Sequence, residues 1–142
     1  LYRQLQQSKD AQLAAIAEKS SKEVAYHLRW SSEWVIRLGD GTEESNHRVT
    51  AALSDLWMFT GELFQPAGYE QTTAGEGTGV AINQHKEAWL QRVQTVFEEA
   101  QLDVPTQTWA QWGGKEGKHT EYLGYLLAEM QYLQRTFPNA TW

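Results

Sequence analysis

The sequence predicts an all-α fold, and three observations carry that expectation. Apolar residues recur every three or four positions over long stretches, no segment alternates with period two, and glycine or proline separates the periodic stretches. Long helices of this kind bury their apolar stripes by packing as a bundle.

Residues 1–7 read as the tail of a helix already under way, so residues before Leu1 are expected to be missing. Residues 8–38 follow as one long helix. Leu13, Ile16, Val24, Leu28, Val35 and Leu38 mark its apolar face, Ser8 is its expected N-cap, and Gly39 with Gly41 supplies the stop. A second stripe of Glu23, His27, Trp30 and Trp34 lies beside the first, which implies burial on more than one side.

The next helix is expected over residues 43–64. Thr42 caps it, and Glu43 and Glu44 suit the positive end of its dipole. Its expected buried face comprises Val49, Leu53, Leu56, Trp57, Leu63 and Phe64, and Pro66 and Gly68 end it. Residues 65–83 read as a loop, with Gly75-Glu76-Gly77-Thr78-Gly79 its flexible centre. A third helix is expected over residues 84–100, with Trp89, Val93, Val96 and Phe97 on one face and Val104-Pro105 as its break. After an irregular connection over residues 106–118, the last helix runs over residues 120–136. Leu123, Leu126, Leu127, Met130 and Leu133 form its expected buried face, and Pro138 closes it. Residues 1–142 are thus read as a single helical domain.

Composition narrows the function. The chain has no cysteine, so disulfides and thiolate metal sites are excluded. A formal charge of −6 argues against nucleic acid or an anionic membrane as partner. No apolar run approaches the ~20 residues of a membrane span, and no signal peptide is visible, so a cytoplasmic protein is expected. Seven tryptophans in 142 residues suit a packed core or an interface, since each brings much apolar area at small entropic cost.

The turn Gly113-Gly114-Lys115-Glu116-Gly117-Lys118 invites a phosphate-loop reading, but three residues separate Gly113 from Gly117, His119 follows Lys118, and no strand precedes it. A more modest expectation stands. Lys115, Lys118 and His119 beside a helix N-terminus would favour an acidic group, either a partner's carboxylate or a phosphate of coenzyme A. Solvated lysines on a glycine turn are the plainer alternative. No serine lies in a strand–turn–helix elbow, so a nucleophilic triad has no support.

The order of residue types from Gly113 to Gly124, continued by Leu127-Ala128-Glu129-Met130-Gln131-Tyr132-Leu133, resembles the C-terminus of the PaaC-type structural subunits of bacterial ring-1,2-phenylacetyl-CoA epoxidase. Gln12-Leu13-Ala14-Ala15-Ile16, Tyr26-His27-Leu28-Arg29, Arg37-Leu38-Gly39 and Glu62-Leu63-Phe64 fit the same pattern, with residues 65–83 the least alike. The resemblance covers only the C-terminal part of such subunits. It implies a ferritin-like bundle, here partial, with its N-terminal helices missing.

It also implies a non-catalytic subunit that supports a PaaA-type catalytic subunit in phenylacetate catabolism. In that complex the di-iron centre belongs to the catalytic subunit. NADPH, FAD and an iron–sulfur cluster serve a separate reductase, and no cofactor is expected on this chain. A ferritin-like di-iron site needs Glu-x-x-His on two helices. The pair singled out here is Glu23 with His27, spaced i,i+4; Glu44 and His47 have the i,i+3 spacing on the next expected helix, but His85 and His119 lack a glutamate three residues earlier on the same helix, so no second helix matches it. Glu23 and His27 are therefore expected to be a buried hydrogen-bonded pair; a metal site of the chain's own is the alternative. A bundle without its first helices would expose apolar faces, so self-association is expected.

Overall fold

The computed structural model describes residues 1–106 and 109–141. Among them all regular structure is helical: α1 Tyr2–Leu5, α2 Ala11–Gly39, α3 Glu43–Leu56, α4 Gly68–Glu76, α5 Lys86–Glu99 and α6 Tyr122–Thr136. The fold is all-α, in keeping with a ferritin-like bundle. The backbone forms two compact units, residues 1–111 with α1 to α5 and residues 112–142 with α6.

Within the first unit α2 is the spine. Its cap is Asp10 rather than the expected Ser8: Asp10 Oδ1 accepts from the N–H groups of Gln12 and Leu13 at 2.9 and 3.1 Å. A carboxylate there also meets the positive end of the helix dipole. Ser8 instead ties the preceding turn down, donating to the carbonyl of Thr78 at 2.8 Å. Thr42 caps α3 as expected, in a reciprocal box with Ser45.

α3 stops at Leu56, short of the expected residue 64, and the chain tightens into 3₁₀ turns at Trp57–Phe59 and Gly61–Phe64. Gly61 weakens a helix interior, and the Thr60 hydroxyl bonds back to the carbonyl of Trp57 at 2.8 Å. This brings Trp57 to 5.8 Å from Trp89 and 6.1 Å from Phe97, between ring centroids, and Phe64 to 5.2 Å from Trp89. Contacts of this kind contribute roughly 0.5–1.5 kcal/mol each beyond their burial. Leu56 and Leu63, expected inside, are exposed.

The segment read as a loop contains α4. Glu70 reaches back to accept from the N–H of Ala67 at 2.8 Å, and Gly77 ends the helix in the left-handed region at φ +80°. The N–H of Lys9 donates to the carbonyl of Gly77 at 3.0 Å, so the supposed flexible centre is pinned to the start of α2. The glycines have the look of loop punctuation; one of them is a helix terminator.

α5 ends before Val104-Pro105. Gln101 takes a left-handed conformation at φ 56°, and the N–H groups of Gln101 and Leu102 return to the carbonyls of Glu98 and Phe97. This is a Schellman closure, and it folds Leu102 back onto Phe97. Val96, Phe97, Ala100 and Leu102 form the buried cluster, with Val35, Leu53 and Trp57 among the half-buried residues around it.

The tightest approach joins α2 to α5. A Cβ on Gly39 would overlap the carbonyl oxygen of Ala100 and lie 2.9 Å from its Cβ, and Ala100 is fully buried. Asn46 of α3 donates to the carbonyl of Gly39 at 2.8 Å, and Gln101 hydrogen-bonds Asp40. Three helices therefore meet at one glycine.

In the second unit, α6 has no buried residue. Leu126, Leu127, Met130 and Leu133, expected to be covered, are exposed, and Leu123 is half-buried. An isolated helix of this length gains its stability from packing, and the 31 residues of this unit offer α6 little to pack on.

The junction gives a paired prediction. Alanine gains about 1 kcal/mol over glycine in helix propensity, whereas overpacking a closed contact costs about 1–3 kcal/mol. Gly39→Ala should therefore destabilise the first unit by about 1–2 kcal/mol in urea unfolding. Gly75→Ala, in α4 where a Cβ would meet nothing within 4 Å, should be neutral or stabilising by up to about 1 kcal/mol.

Candidate functional site

α2 carries the side chains of interest because 29 helical residues leave more surface than the first unit covers. Only Ala17, Ser32 and Gly39 along it are buried. The second stripe faces outward, with Trp30 54% and Trp34 43% exposed, and Ile16 and Leu38 of the first stripe are exposed as well, at 51% and 40%. Trp30 and Trp34 stand edge to face at 6.1 Å. Arg37 stacks over the ring of Trp34 and Arg29 over that of Tyr26, each at 5.6 Å, while Arg29 also approaches Glu33 at 3.9 Å.

Such stacking holds two guanidinium groups against aromatic faces before any partner arrives. Tryptophan, tyrosine and arginine are also the residues that most often dominate binding energy at interfaces. The tryptophans stand out in the sequence and the arginines do not, although their signal is present. Tyr26–Arg29 and Trp34–Arg37 both have the i,i+3 spacing of helix-face neighbours.

Glu23 and His27 lie within this stripe, and both are exposed. The expected buried, hydrogen-bonded pair is not what forms. No ion pair joins them, and the His27 ring contacts the edge of Tyr26 at 6.1 Å. Burial of the pair requires a second layer of helix over this face, and the first unit provides none. Among the described residues no three His, Asp or Glu side chains come together to hold a metal ion.

The basic turn of the second unit also differs from its sequence reading. It does not run straight into α6. Gly113 and Gly117 both take positive φ, +100° and +88°, and close a 3₁₀ turn at Gly114–Glu116. The N–H of Lys118 is spent on the carbonyl of Gly113 at 2.8 Å. The stem of Lys118 lies over Gly113, where a Cβ would sit 2.7 Å from its Cδ. Lys115 is half-buried, Lys118 and His119 are exposed, and α6 begins at Tyr122 without a side-chain cap. Glycine is required at both positive-φ positions by the turn itself, which accounts for much of the motif.

Residues 1–142 match the phenylacetic acid catabolic protein family over their whole length. The chain belongs to that family. It is 44% identical over 142 residues to the C subunit of the 1,2-phenylacetyl-CoA epoxidase of Escherichia coli strain K12. That alignment takes in all of this chain and 57% of the relative, so the chain spans little more than half the relative's length. Among the described residues of this family member, no helix is long and apolar enough to cross a membrane.

In the sequence His85 stands out only for lacking a glutamate partner. It sits in the 3₁₀ turn Ile82–His85 beside α1 and α2, and its Nε2 is buried without a hydrogen-bond partner. Burial lowers its pKa. The folded protein thus holds this proton more weakly than the unfolded chain. As pH falls through the free imidazole value of about 6.5, the unfolded chain takes up the proton first and stability drops. The His85 resonances should titrate with a midpoint below that value in NMR. His85→Gln should lose less stability than the parent between neutral pH and the histidine range.

Proposed function

We propose that this chain is a non-catalytic, structural part of a phenylacetyl-CoA epoxidase that supports a PaaA-type di-iron subunit in aerobic phenylacetate catabolism. The observation that carries the reading is the 44% identity to an epoxidase subunit, sustained over every residue of the chain. Of the chain's two Glu-x-x-His strings, Glu44–His47 lies on α3, whereas Glu116–His119 leaves a 3₁₀ turn through Gly117, so the two-helix pattern of a di-iron site is not met. The chemistry then belongs to the partner: iron on the catalytic subunit, with NADPH, FAD and an iron–sulfur cluster on the reductase. This chain contributes surface. The exposed stripe of α2, with Trp30 and Trp34 at its centre and Arg29 and Arg37 beside them, is its contact face in this reading.

A pull-down of the chain with a PaaA-type subunit, with metal analysis of each protein before mixing, tests the proposal. A complex with iron only on the catalytic side is the expected result. Iron on this chain that is lost in His27→Ala would instead make Glu23 and His27 ligands, and the absence of any complex would leave a helical scaffold outside this pathway. Within the complex, Trp34→Ala should weaken binding by roughly 2 kcal/mol, about thirtyfold in Kd by titration calorimetry.

A further inference from the structure

We draw no further inference here: the strongest candidate, the exposed apolar face that Leu126, Met130 and Leu133 form on α6 of the second unit, carries nothing because nothing in the structure shows what covers it.

Discussion

The close approach of α2 and α5 at Gly39 and Ala100 sets the rest of the first unit. With no Cβ between them, the helix ends come near enough for Asn46 to reach the carbonyl of Gly39 and for Gln101 to meet Asp40. The Schellman closure of α5 then places Leu102 against Phe97, and Phe97 in turn meets the ring of Trp57. Each later contact assumes the earlier one. A chain with so few buried apolar residues depends heavily on this single knot, because burial elsewhere is partial.

That economy explains the surface. α2 is anchored at its ends, by Asp10 and the Ser8–Thr78 bond at one and by the Gly39 junction at the other, while most of its length is open. A rigid, anchored helix showing apolar side chains on two faces suits binding: the ordering cost is met in the free protein, leaving less to be lost when a partner arrives. The stacked Arg29 and Arg37 fit that picture, since their guanidinium groups are already placed on aromatic rings.

His85 shows how a residue without any motif acquires a distinct environment. Its neighbours come from α1 and α2, far away in sequence, and its Nε2 is deprived of water and of a partner together. A histidine ordinarily avoids that arrangement, and its lowered pKa is the consequence.

Helical periodicity made α2, α3, α5 and α6 legible in the sequence, because spacing along the chain fixes which residues share a helix face. The Thr42 cap was legible for the same local reason, and the order of residue types along the chain carried the family. Whether those faces are covered was not legible. Leu126, Met130 and Leu133 have the pattern of a buried stripe and are exposed, and Glu23 with His27 have the pattern of an interior pair and lie outside. Periodicity reports a helix's apolar face, whereas burial requires a second surface that local spacing does not encode. The glycines divide in the same way. Gly77 terminates α4, and Gly39 admits Ala100, roles that differ only through what the folded chain brings beside them.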